Sequence, residues 1–179
     1  MATEHAAALK GMALCRALSG AEIEVIAAIA ETQEVAAGKE LFREGDAGDG
    51  MFLVVAGEID VVKRGPRGER SLARLGAGAI LGEISLLTNE VRSASGRALA
   101  HTRVLRLPAP RFKAMLQEGS PAALKMVSAI AEVLAHRLAA MNTKVLELAD
   151  KVDPGGTTSP SIKDKELAEL HRTMQIWSF

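Results

Sequence analysis

Residues 51–63, MFLVVAGEIDVVK, decide how the chain is read. The stretch holds two short apolar, β-branched runs, MFLVVAG and EIDVVK, each a candidate strand. Working outward, the same pattern fills residues 32 to 107. TQEVA, KELF, SLARL and TRVLRL are further β-like runs, and Gly45-Asp46, Gly48-Asp49-Gly50, Gly65-Pro66 and Gly76-Ala77-Gly78 lie between them. Each break has a backbone reason, since glycine reaches positive φ and proline fixes φ at the second position of a turn. Strands at such regular spacing predict an antiparallel sandwich or closed roll. The stretch from Lys63 to Arg70, holding RGPRGER, reads as an exposed hairpin tip.

Helices flank this β region. Residues 9 to 31 carry Leu14, Leu18, Val25, Ile26 and Ile29 at helical spacings. Ser19 with Glu22 three residues on is a capping box, so two short helices with a break near Ser19 are expected. After Pro108, Arg111 to Glu118 reads as a short helix ended by Gly119. Ser120-Pro121 restarts the chain with serine as N-cap and proline at the first helical position. Leu124, Val127, Ala131, Leu134, Leu138, Met141, Val145 and Leu148 then recur three and four residues apart, a heptad seam running to about Asp150. Met126, Ile130 and Val133 form a second apolar face beside it. A long helix lying on its own domain would explain one face; two faces are better explained by the domain on one side and a second subunit on the other. The domain division is therefore an N-terminal helical segment (1–31), a β-roll (32–107), C-terminal helices with a dimer helix (108–150), a Pro/Gly/Ser linker (151–161) and an amphipathic tail (162–179). Leu167, Leu170, Met174 and Trp177 share one stripe of the tail, which could dock on the domain, anchor a partner or be partly disordered.

At 179 residues, with 22 basic and 22 acidic side chains, the chain is long enough for a proper core and carries no net charge. That argues against a broad nucleic-acid footprint, which needs a basic face. Cys15 is the only cysteine, which excludes an internal disulfide framework and a cysteine-based zinc site. His5, His101, His136 and His171 lack metal-ligand spacing. No run approaches the ~18 apolar residues of a membrane span, and the N-terminus lacks the apolar region of a signal peptide. A soluble, cytoplasmic protein without metal or cofactor is the expectation, and no catalytic constellation points to an enzyme.

One stretch carries chemistry: ILGEISLLTNEVRSASG, residues 80–96. Glu83 to Leu87 is long enough for about a turn and a half of helix, whose first amides suit an anion. Arg92 offers a guanidinium fork for two phosphate oxygens and Ser93 a further hydroxyl donor. Glu83, when ionised, only accepts hydrogen bonds and suits a sugar hydroxyl. The residues taken alone leave the alternatives open: a solvated arginine among serines, and a Gly-Glu helix start.

LGEISLLTNEVRSAS nevertheless resembles the phosphate-binding cassette of cyclic nucleotide-binding domains, through Gly82, Glu83, Ile84, Ser85 and Leu86, then Arg92, Ser93, Ala94 and Ser95. LFREGDAGDGMFLVVAGEIDVV is similar to that family's opening strands, and the resemblance runs from about Leu14 to Asp150. It implies a mainly β fold with flanking helices, an antiparallel jelly-roll-like β-roll with a long C-terminal dimerisation helix. It also implies that Arg92 pairs with a cyclic phosphate and that Glu83 accepts from the ribose 2′-hydroxyl. Gly82, Ile84 and Ser85 would cradle the ligand, with Ser93 touching the phosphate or influencing the choice of base. HRLAAMNTKV resembles the mid-helix region of bacterial catabolite-activator-type regulators, which implies Asn142 as a base contact, with Thr143 from the second subunit. The implied ligand is cAMP, with cGMP the other candidate. Family transcription factors continue into a helix-turn-helix domain, whereas about thirty residues remain here. The expectation is a homodimeric stand-alone receptor that signals to an unidentified protein partner without binding DNA or a membrane. The alternative is a non-sensing dimeric scaffold that uses the same roll and the tail.

Overall fold

The computed structural model describes residues 2–88 and 90–152. The linker beyond Val152, the tail and Asn89 lie outside the described residues. The chain divides into two compact units, Met1–Val133 and Leu134–Phe179.

The first unit opens with α1 (Ala2–Lys10), a 3-10 turn (Ala13–Cys15) and α2 (Gly20–Ile29). The sequence pattern placed helix from residue 9 onward. Instead α1 ends at Lys10 and the chain turns through Met12, whose N–H returns to the Leu9 carbonyl at 3.0 Å. The apolar spacing at Leu14 and Leu18 reflects buried turn residues rather than a continuous helix. The capping box at α2 is present: Ser19 N–H donates to Glu22 Oε2 at 2.6 Å, and Glu22 N–H donates to Ser19 Oγ at 3.3 Å. Glu22 also pairs with Lys125 at 2.8 Å, fastening α2 to the first turns of α5.

Among the described residues eight strands follow: β1 (Glu31–Val35), β2 (Glu40–Phe42), β3 (Gly50–Ala56), β4 (Glu58–Gly65), β5 (Gly68–Gly76), β6 (Ile80–Leu81), β7 (Ser95–Ala98) and β8 (Thr102–Pro108). They form two four-stranded antiparallel sheets, ordered β1-β8-β3-β6 and β2-β7-β4-β5. Val35, Phe52, Val54, Leu81 and Val104 from the first sheet meet Ile59 and Ala98 from the second, with Leu41, Phe42 and Leu75 packed against them. The core therefore sits between the sheets, as a closed roll requires. The hairpin between β4 and β5 turns at Pro66-Arg67, within the predicted tip. β6 and β7 had no separate strand signal in the sequence; β6 has two residues and β7 is the small-residue run SGRA.

Between β6 and β7 lies α3 (Glu83–Thr88). The Thr88 hydroxyl donates to the Ile84 carbonyl at 2.9 Å and accepts from Glu90 N–H at 3.3 Å, which closes the helix. After β8 come α4 (Ala109–Gln117) and α5 (Pro121–Val152). Ala122, Ala123, Met126 and Ile130 of α5 are buried. The heptad seam lies elsewhere on the helix: Leu124, Leu138 and Met141 are 54%, 50% and 59% exposed. Leu148's side chain is outside the described residues. Val127, Leu134 and Val145 of the seam and Val133 of the second face are half-buried, so exposure varies along the helix as well as around it.

Candidate functional site

The loop that joins β2 to β3 and the segment that leads into β7 are stitched together. Arg92 N–H donates to the Asp46 carbonyl at 2.8 Å, and Gly45 N–H donates to the Arg92 carbonyl at 2.9 Å. Glu44 N–H donates to Ser95 Oγ at 2.9 Å. The turn itself is closed by Asp46, whose carboxylate accepts from Arg43 N–H at 2.8 Å. With both backbone groups of Arg92 committed, its side chain runs inward. The guanidinium carbon lies 4.6 Å from the ring centre of Phe42 and 5.2 Å from that of Phe52. Those two rings stack on each other 5.6 Å apart. A cation over aromatic faces is attracted by the ring quadrupole.

Arg92 is only partly satisfied there. Nη2 donates to Asp49 Oδ1 at 2.8 Å and Nη1 to the Gly82 carbonyl at 3.3 Å. Nε is buried and has no hydrogen-bond partner among the described residues. The Arg92 side chain is 1% exposed against 57% for Asp49. Burial pulls the Arg92 pKa below its ordinary value, with Asp49 working the other way. A guanidinium nevertheless stays protonated at neutral pH. Asp49 is also shared, for its Oδ2 accepts from Arg106 Nη2 at 2.6 Å. Arg106 in turn donates to Glu31 at 2.9 Å, and Arg111 stands 3.4 Å from the same carboxylate. Arg92 and Arg106 thus share the Asp49 carboxylate, and Arg92 keeps one buried donor unspent.

Gly82 makes this packing feasible. Its φ is +79°, and a Cβ placed there would collide with Arg92 Nη1. Glycine is therefore needed for both conformation and space. On the other side of α3, Ser85 is buried against Gly48, where any side chain would strike Ser85 and the Glu90 carbonyl.

Gly82 contacts Arg92 directly, and Glu83 and Ser85 are buried in α3, which begins at the residue after Gly82. Ile84 side chain points to solvent and is available to the site only through its backbone. Ser93 is exposed, with its carbonyl accepting from Lys63 Nζ at 2.6 Å. Asn142 and Thr143 belong to the Leu134–Phe179 unit, where Thr143 Oγ1 donates to the Ala139 carbonyl at 3.2 Å. Sequence reasoning missed Phe42, Phe52, Asp49, Arg106 and Lys63. Asp49 lies in GDAGDG, where aspartate is as ordinary a turn residue as glycine, so spacing alone does not single it out.

Two surface depressions of about 530 and 670 Å³ lie on the charged outside of the second sheet, lined among others by Glu40, Arg43, Glu44, Glu69 and Arg97. Neither is lined by Gly82, Glu83 or Arg92, and two of their cations, Arg43 and Arg97, are paired with carboxylates. Among the described residues no cluster of His, Cys, Asp and Glu could hold a metal ion, and no helix is long and apolar enough to cross a membrane.

Residues 32–119 match the model of the cyclic nucleotide-binding domain. A cyclic nucleotide-binding-like protein from Brucella abortus is 30% identical, with 64% of this chain aligned over 98% of that one at a TM-score of 0.55. A cyclic nucleotide-binding domain from Methylobacillus flagellatus is 26% identical, covering 82% of this chain and 83% of its own, with a TM-score of 0.72. The cyclic AMP receptor protein of Thermus thermophilus is 31% identical over 143 residues, 79% of this chain and 61% of the relative. A putative potassium channel protein of Rhodopseudomonas palustris is matched over only 32% of its length, so the chain spans a part of these curated relatives.

Proposed function

Because the chain belongs to the cyclic nucleotide-binding domain family, we propose that it is a receptor for a cyclic nucleotide, cAMP first and cGMP second, that works by binding and not by catalysis. The observation that carries this reading is Arg92: a buried guanidinium with an unpartnered Nε inside the segment that matches the phosphate-binding pattern. Leaving such a donor unpaired costs about 1–3 kcal/mol, a cost that an incoming phosphate oxygen removes. A cyclic phosphate carries one negative charge on two non-ester oxygens, which a planar fork accepts. Glu83 then takes the ribose 2′-hydroxyl, the Gly82, Ile84 and Ser85 backbone with the Ser85 hydroxyl cradles the ligand, and Ser93 completes the phosphate contacts. Asn142, with Thr143 of a second copy, reaches the base.

Signalling follows from access. With its side chain 1% exposed, Arg92 meets a phosphate only after residues 82–95 shift, so the ligand selects a different arrangement of the segment. The open seam at Leu124, Leu138 and Met141 supports a homodimer through α5, and the ligand-driven shift alters what that dimer presents to a protein partner. The test is a melting titration of nucleotide-free protein with cAMP and cGMP. Ligand at 100 times its dissociation constant adds about 2.7 kcal/mol to unfolding. No shift with either nucleotide at millimolar levels would leave the roll as a non-sensing scaffold.

A further inference from the structure

Lys63 stands at the far end of β4, past the bulge between Val61 and Val62, and belongs to no part of the phosphate-binding pattern. On a charged hairpin its ammonium would ordinarily be solvated and mobile. Here it is fixed: Nζ donates to the Ser93 carbonyl at 2.6 Å and to Glu44 Oε1 at 3.0 Å. Glu44 is itself held at two further points. Its Oε2 accepts from Arg64 N–H at 3.0 Å, and its own N–H donates to Ser95 Oγ at 2.9 Å. The Arg64 amide first and the Lys63 ammonium second hold the Glu44 carboxyl below its ordinary pKa, so it stays ionised and keeps its grip at neutral pH. The hairpin, the 43–46 turn and residues 93–95 are therefore joined through one lysine–glutamate pair.

We propose that Lys63 is a positioning residue for the nucleotide phosphate, acting through the peptide that follows Ser93; this rests on the receptor reading above. A carbonyl oxygen beside an anion is repelled by it, and the Ser93 carbonyl immediately follows the phosphate-binding arginine in the chain. Lys63 turns that oxygen toward the hairpin. The two polar groups of a trans peptide point in opposite directions, so the Ala94 N–H faces the other way. The segment thus offers the ligand a donor where it would otherwise offer an acceptor. Arg92 cannot do this for itself, since its own N–H and carbonyl are committed to Asp46 and Gly45.

The test compares wild type, Lys63→Met, Lys63→Arg and Glu44→Gln as full chains, by calorimetric titration with cAMP and cGMP. Lys63→Met should weaken binding about ten-fold, the scale of one charge-assisted hydrogen bond. Lys63→Arg should restore it to within about two-fold, and Glu44→Gln should cost about three-fold. In nucleotide-free Lys63→Met the amide resonances of Ser93 and Ala94 should move while those of β1 and β8 stay, a change that a general loss of stability would not produce. Lys63→Met binding within two-fold of wild type, or a loss that arginine does not rescue, overturns the inference. Should Lys63→Met fold poorly, an unchanged affinity in Glu44→Gln overturns it as well. Wild type that binds neither nucleotide removes the receptor reading, and this role with it; wild type that binds, alongside an indifferent Lys63→Met, removes this role alone.

Discussion

The outside of the second sheet and the interior behind it both carry arginines, and they use them differently. On the outside, Arg97 sits between Glu69 at 3.0 Å and Glu40 at 3.6 Å, and Arg43 reaches Glu40 at 2.5 Å. These groups are wet and mutually satisfied, and exposed pairs of this kind are worth about 0–1 kcal/mol each. Inside, Arg92 rests on two phenylalanine rings, shares its carboxylate with Arg106 and leaves Nε unpaired. An arginine kept for stability alone would be better placed outside, or replaced by an apolar side chain, since a buried charge often costs more in desolvation than its pairing returns. The difference teaches where function lies. The surface web is a solvated face, whereas the interior arginine keeps a buried donor unspent, and this is the difference that the receptor proposal rests on.

Substitutions break or sharpen that contrast. The largest effect on stability is expected from Gly82→Ala, where positive φ and the clash with Arg92 act together; about 2–4 kcal/mol should be lost in denaturant unfolding. A loss below 0.5 kcal/mol would show that Arg92 is free to leave its packed position. Asp49→Ala comes next. It strips Arg92 of its one carboxylate, and because Asp49 is more than half exposed the cost should be about 1–2 kcal/mol. An equal melting temperature would mean that solvent, not Asp49, balances the guanidinium. On the outside, Arg97→Ala should change unfolding by no more than about 0.5 kcal/mol and leave nucleotide affinity untouched. An effect as large as that of Asp49→Ala would erase the distinction between the two regions.

The smallest effect is one of pH. Lys125 and then the Ser19 amide lower the Glu22 carboxyl from 4.5 to about 2. A depressed folded pKa stabilises above the unfolded value, so this contribution is whole above pH 4.5 and fades as pH falls from 4.5 toward 2. In Lys125→Ala the Glu22 midpoint, followed by carboxyl NMR, should climb back toward 4.5. An unmoved midpoint would assign the shift to the helix cap alone.

What was legible in the sequence was local. The Gly82-Glu83 and Arg92-Ser93 halves of the cassette lie within one short segment, and the Ser19–Glu22 capping box spans three residues, so spacing and residue type suffice to read them. Asp49 and Phe52 were not legible as site residues, because their contact with Arg92 exists only once β3 lies across the roll from β7. Arg106 reads as an ordinary polar position in an alternating strand, and only the register that sets it opposite Phe52 brings it to Asp49. β6 and β7 escaped because two residues, or a run of small ones, have too little apolar periodicity to announce a strand. In α5 the burial of Met126 and Ile130 agrees with the second apolar face read from the sequence, but Met141 lies on nearly the same side of the helix as Ile130 and is exposed, so exposure there follows position along the helix as well as its face.

The most direct test of the central claim is a calorimetric titration of nucleotide-free wild type and Arg92→Met with cAMP and cGMP, with unfolding of both ligand-free proteins measured alongside. Arg92→Met keeps an apolar side chain against Phe42 and Phe52 while removing the charge and the unpaired donor. The account predicts that the variant is as stable as wild type to within about 1 kcal/mol, or more stable, and binds at least about 100-fold more weakly. Equal binding by the two proteins, or a variant that unfolds several kcal/mol more easily and binds as well as wild type, would show that Arg92 serves the fold and not a ligand.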